Sequence, residues 1–116
     1  TMNKTAIVAF KGSSICFVHV LLNALDLHDR GGVVKIVLEG EAIKLIVDLC
    51  KPEHPLQPLY DKVKKLGLID AVCRACAVKM GALEVIEAEG LNIVDDMAGH
   101  AGMAPYMEKG YAIVTL

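Results

Sequence analysis

Two cysteines separated by two residues, Cys73-Arg74-Ala75-Cys76, stand where one kind of sequence pattern gives way to another. Residues 68–73 form a short apolar run with β-branched Ile69 and Val72, and the residues that follow lose the strand character and close on Gly81. This reads as a strand turning directly into a helix. At such a junction in a parallel sheet ligands collect beyond the carboxyl ends of the strands, and the helix start offers unpaired backbone N–H groups. Both features favour a thiolate, the reactive form of which an ordinary cysteine holds little at neutral pH. A cation would help further, and Arg74, Lys79 and Lys11 are the candidates. Cys73 is therefore either a nucleophile or a small hydrophobe ending a buried strand, and Cys76, one helical turn later, is either a resolving thiol or part of the core.

The same topology brings other strand exits to that edge. They are Lys11-Gly12-Ser13-Ser14, Glu39-Gly40-Glu41 and the small-residue loop 95–102 with His100. The candidate pocket is Gly12, Ser13, Glu39, Gly40, Glu41, Arg74 and His100 around the catalytic candidates Cys73 and Cys76. His100 would act as acid or base, or simply face solvent. Residues 11–14 would hold an anion on backbone N–H groups, or cap a helix. Neither nucleotide-binding glycine fingerprint occurs, and a chain with no Trp, three Tyr and two Phe lacks the walls of a flavin site, so no cofactor is expected. Zinc would draw on Cys73, Cys76, His54 and His100. Structural zinc usually shows two closely spaced ligand pairs and only one is present, so no metal site is expected. Cys16 and Cys50 sit in apolar helical patterns and read as structural.

The chain that must position these groups has 116 residues, 54% of them hydrophobic, with a net charge of −2. This suits a single domain over residues 1–116 with a real core, and leaves no basic surface for nucleic acid. No apolar run approaches a bilayer span and no signal pattern opens the chain, so a cytoplasmic location without membrane contact is expected, where four cysteines are free or functional rather than a disulfide framework. Strands are predicted at 5–10, 33–38, 68–73, 91–94 and 111–116. Between them lie helices over 14–30, with an apolar stripe of Val18, Leu21, Leu22 and Leu25, over 42–49, 56–65 and 74–80, near Leu83 and Ile86, and from Pro105 to Gly110. Strands alternating with helices predict an α/β fold, a three-layer α/β/α sandwich with a mainly parallel five-stranded sheet.

Ala71-Val72-Cys73 followed eight residues later by Gly81, after the third of five strands, resembles the DsrE/DsrF-like family, which includes the TusD sulfur-relay subunits. Val37-Leu38-Glu39-Gly40 resembles that family's second strand and its exit, and Glu108-Lys109-Gly110-Tyr111 resembles its ending. The resemblance implies a small cytosolic DsrE-like domain that forms homo-oligomers, often trimers or hexamers, with members that carry sulfur as a cysteine persulfide. The family's cysteine matches Cys73, and Cys76 departs from the relay subunits' pattern.

Three functions follow as expectations. One is an intracellular sulfur carrier or sulfurtransferase-like protein loaded on Cys73, exchanging sulfur with donor and acceptor proteins. Another is a thiol–disulfide redox protein using both cysteines. The last is a non-catalytic oligomeric module that binds a small ligand.

Overall fold

Residues 4–9 and 33–38 are nearly continuous apolar runs, which is what strands covered on both faces require. In the computed structural model, which describes residues 3–116, they form β1 (Lys4–Ala9) and β2 (Val33–Leu38), joined by α1 (Ser14–Asp29). Then follow α2 (Ala42–Leu49), α3 (Gln57–Lys65), β3 (Ile69–Cys73), α4 (Arg74–Lys79), α5 (Leu83–Ala88), β4 (Ile93–Val94), α6 (Ala104–Glu108) and β5 (Ala112–Thr115). The sheet has the order β4-β3-β2-β1-β5, and every pairing is parallel. The fold is thus the expected α/β sandwich, with a fully parallel sheet. No helix among the described residues is long and apolar enough to cross a membrane.

The strand order decides how the layers are filled. From β1 to β4 each connection steps in one direction, so right-handed crossovers put α1 to α5 on one face. The return from β4 to β5 runs the opposite way and carries α6 to the other face. There the Tyr106 hydroxyl of α6 donates to Asp70 Oδ2 at 2.6 Å, and Lys35 Nζ lies 3.3 Å from Asp70 Oδ1. Asp70 reaches this face through a bulge. Ile36 pairs with Ile69 and Val37 with Ala71, leaving Asp70 as the extra residue of β3.

The first face holds most of the core. Phe17, Val20, Leu21, Ala24 and Leu25 of α1 are buried, whereas Leu22, expected in the apolar stripe, is 48% exposed. The buried stripe is rotated because α1 is apolar nearly all round, so spacing alone fixed its orientation poorly. Ser13 has extended backbone and its hydroxyl accepts from the Cys16 N–H at 3.5 Å, a long N-cap contact.

Candidate functional site: a thiol pair under a histidine turn

Because β3 passes into α4 without a loop, Cys73 ends the strand and is also the helix N-cap, with extended backbone. Cys76 is the third residue of α4, so its sulfur lies over the same end of the helix. The ladder ends with Leu38 paired to Val72, so Glu39 and Cys73 each follow the last pair of the β2–β3 ladder.

The histidine arrives from the far side of the sequence. Met97 and His100 exchange two N–H to carbonyl hydrogen bonds of 2.9 Å around Ala98 (φ 50°) and Gly99 (φ 89°). Two positive φ values in a two-residue turn are the type I′ arrangement. The Gly99 carbonyl accepts the Ala75 N–H at 2.9 Å, which ties the turn to the first turn of α4, and the Gly102 N–H donates to Asp96 Oδ1 at 3.3 Å. His100 Nδ1 then lies 3.2 Å from Cys73 Sγ and 3.7 Å from Cys76 Sγ. All three donor atoms fall within 4.8 Å of one another.

Ala98 is the weak point of this turn, since an L-residue with a Cβ pays for left-handed backbone and asparagine pays less. Ala98→Asn is expected to stabilise the chain by about 0.5–1 kcal/mol, read as a higher urea midpoint at unchanged slope. A lower midpoint would contradict the turn assignment.

Cys73 is fully buried at 0% exposure, and Cys76 is partly exposed. Burial pushes the Cys73 thiol above its ordinary value, and the Cys76 side chain adds to this, while backbone N–H groups of Cys76 and Ala101 against the sulfur pull the other way. None of the leading influences is a lysine or arginine. The cation expected to activate Cys73 is thus replaced by helix-start and loop N–H groups, and Arg74 is exposed with no ion pair among the described residues.

Among the described residues Glu39 is the one buried carboxylate, 7% exposed. Burial raises its pKa, and the charge of His100 works against that shift. A folded-state pKa above the ordinary 4.5 means that the neutral carboxyl favours the fold. That contribution is full below the unfolded value and is lost as pH rises through the folded value. Glu39→Gln, which cannot ionise, is therefore expected to gain thermal midpoint relative to the wild type as pH rises from 4.5 towards neutrality. A difference constant with pH would contradict this.

The remaining pocket candidates form a second group at the same sheet edge. A Cβ on Gly12 would stand 2.9 Å from the Glu41 Cβ, and Gly40 (φ 54°) lets the chain pass the Phe10 carbonyl, which accepts the Ala42 N–H at 3.1 Å. Gly12, Gly40 and Glu41 thus knit two loops together while Ser13 caps α1, and of the pocket candidates His100 reaches the thiols and Glu39 feels the charge of His100. His54 Nδ1 accepts the Leu56 N–H at 3.0 Å and stays with its own loop, and Cys50 Sγ donates to the Val47 carbonyl at 3.5 Å. A cleft of about 380 Å³ is lined by Val94, Asp96, Gly102 and Tyr106 among others. Cys73, Cys76 and His100 do not line it. Sequence reasoning passed over Asp96 and the Ala98-Gly99 turn, for which the dipeptide is only a faint signal.

Fold and site together define an all-parallel α/β protein with a thiol–imidazole group at the carboxyl end of its sheet. Within that class the chain belongs to the same family as the uncharacterized protein MJ0733 of Methanocaldococcus jannaschii, to which it is 39% identical over 98 residues, 84% of this chain and 78% of that one. A shorter match, 43% identical over 35 residues, joins 30% of this chain to 95% of an uncharacterized protein of Archaeoglobus fulgidus. No family model matches the chain. Among solved structures, the conserved protein of unknown function BT1422 from Bacteroides thetaiotaomicron superposes with a TM-score of 0.74 at 19% identity, covering 97% of this chain and 94% of that one. At that identity the likeness establishes the shared fold alone.

Proposed function

We propose that the protein is an intracellular sulfur carrier that holds sulfane sulfur on Cys73, in the manner that the resemblance to DsrE-like relay proteins implies. The observation that supports this reading is the meeting of Cys73 Sγ, Cys76 Sγ and His100 Nδ1 within 4.8 Å at a helix start. Cys76 is the reachable thiol, so it serves as the portal. With its proton passed to His100, the Cys76 thiolate attacks the outer sulfur of a donor persulfide R–S–SH. A new S–S bond forms on Cys76, the donor's S–S bond breaks, and R–S⁻ leaves. Once R–S⁻ has taken the proton from His100, the free imidazole accepts the Cys73 proton and the Cys73 sulfur attacks the same outer sulfur, giving Cys73–S–SH and releasing Cys76, which regains its proton from His100. Attack on the inner sulfur would instead release HS⁻ and leave a Cys73–Cys76 disulfide.

Intact-mass measurement after incubation with a small-molecule persulfide tests this. One added sulfur is expected, resting on the tryptic peptide that ends at Arg74 and holds Cys73, because cleavage there separates the two cysteines. No adduct, or sulfur resting on the Cys76 peptide with none on the Cys73 peptide, would overturn the reading, and Cys73→Ser is expected to leave sulfur on the Cys76 peptide alone. The closeness of the two sulfurs also favours a second reading, a reversible dithiol–disulfide couple. It requires loss of two hydrogens on mild oxidation, abolished by either cysteine change. Sulfur loading that persists in Cys76→Ser, even slowly, would favour the carrier over the couple. A trimeric or hexameric assembly belongs to the same reading, and light scattering in solution decides it.

A further inference from the structure

We infer that Cys73, Cys76 and His100 form a binding site for one zinc ion, with three protein ligands and one open coordination position. The inference rests on the geometry of these atoms and not on the sulfur-carrier reading.

The distances carry it. Zinc–sulfur bonds of about 2.3 Å and zinc–nitrogen bonds of about 2.0–2.1 Å at tetrahedral angles place sulfur and nitrogen ligands roughly 3.5 Å apart, and two sulfurs roughly 3.8 Å apart. Cys73 Sγ and Cys76 Sγ stand 3.2 and 3.7 Å from His100 Nδ1, on either side of the required value, and all three atoms lie within 4.8 Å of each other. An ion therefore fits at their common focus with side-chain adjustments of no more than about an ångström.

The surroundings have the features of a metal shell. Backbone N–H groups of Cys76 and Ala101 lie against the Cys73 sulfur, as donors to a ligating thiolate do. The Gly99 carbonyl on the Ala75 N–H holds the histidine turn against the cysteine helix, so the nitrogen and sulfur ligands are positioned before an ion arrives. Two thiolates and a neutral imidazole cancel the charge of a divalent zinc, which makes the complex compatible with the burial of Cys73. Binding is balanced as one Zn²⁺ exchanged for the two thiol protons. Two cysteines and one histidine with a vacant fourth position is a ligand set of the open kind, and thiolate donors select zinc over magnesium or calcium.

Because the ion would use both thiols, zinc and sulfane sulfur exclude one another. Zinc occupancy would thus hold the pair reduced and unloaded.

The test uses the full chain, reduced and stripped with a chelator, titrated with Co²⁺ as a spectroscopic stand-in for zinc. One equivalent is expected to give sulfur-to-cobalt charge-transfer absorption and intense tetrahedral d–d bands, both erased by one equivalent of Zn²⁺. Cys76→Ser and His100→Ala, which change side chains that are not fully buried, are expected to lose more than the roughly 10–100-fold affinity that an outer-shell change costs. Cys73→Ser should behave alike. Cys16→Ser, Cys50→Ser and His54→Ala should bind as the wild type does. Absence of thiolate bands, or bands that survive Cys76→Ser and His100→Ala, would overturn the site. Should Cys73→Ser fail to fold, those two variants decide alone. Sulfur loading of metal-free protein without cobalt binding would remove this inference only, and cobalt binding without loading would remove the carrier reading only.

Discussion

Cys73 is expected to react with iodoacetamide at least about a hundredfold more slowly than Cys76 in the native chain, a protection matching a local opening of roughly 3 kcal/mol. Cys73 has no exposed surface, whereas Cys76 is partly open. What covers Cys73 is specific: the His100 ring at 3.2 Å, and Ala101, 3% exposed, behind it. Alkylation also needs the thiolate, and burial works against that form at Cys73. Both effects act in the same direction. Timed labelling followed by trypsin, which separates the two cysteines at Arg74, reads both rates in one sample. His100→Ala should narrow the gap by opening the cover while leaving the sheet intact. Equal rates in the wild type would mean that the turn does not stay down, and the portal role given to Cys76 would then be unnecessary.

The parts of the fold legible in the sequence were those governed by local pattern. The strand at 33–38 matches its predicted bounds, and the helix marked by Ala42, Leu45, Ile46 and Leu49 ends before Pro52 as expected, because an apolar run broken only by Lys35 and a three-four spacing are strong local signals. The orientation of α1 was not legible, since Val18 and Leu22 are as apolar as the residues that are buried. Nor was the Asp70 bulge, which exists only through the register between β2 and β3. The site divided along the same line. Cys73 at a strand-to-helix junction could be read from its neighbours. The approach of His100, 27 residues away, depends on a turn whose Ala98 is an unusual choice for left-handed backbone and on a hydrogen bond from Ala75. Long-range closure of this kind leaves little local signature.

The strand order also explains why a thiol this deep stays within reach of chemistry. The face carrying α1 to α5 is filled by Phe17, Ile43, Ile46 and Ile86, all nearly inaccessible. Cys73 shares the opposite side with Val37 and Ala71, where short α6 and the 95–102 loop are the cover. A loop held by a few hydrogen bonds opens at far lower cost than a packed helical layer. The site thus sits on the face that can move, and the rigid face supplies the strand that aims it.

That division is tested most strongly at Phe17. Phe17→Ala is expected to remove about 3–5 kcal/mol of stability, the lost transfer energy of a ring plus the cavity it leaves. Phe17 is 1% exposed on the face of α1 that meets β1, β2 and α3, so little can collapse into the gap. Total stabilities of about 5–15 kcal/mol make this a large fraction of what holds the chain folded. Leu22→Ala is the matched control, because the same helix turns Leu22 48% into solvent. Its loss should stay within about 1 kcal/mol, although helical spacing alone had placed Leu22 in the buried stripe. Urea unfolding at constant slope measures both. In Leu22→Ala the ratio of Cys76 to Cys73 labelling should match the wild type. In Phe17→Ala both thiols should label faster as the population of unfolded chain rises. Comparable losses for the two variants would mean that α1 is not fixed in the orientation seen, and that the rigid half of the fold is looser than the half carrying the thiols.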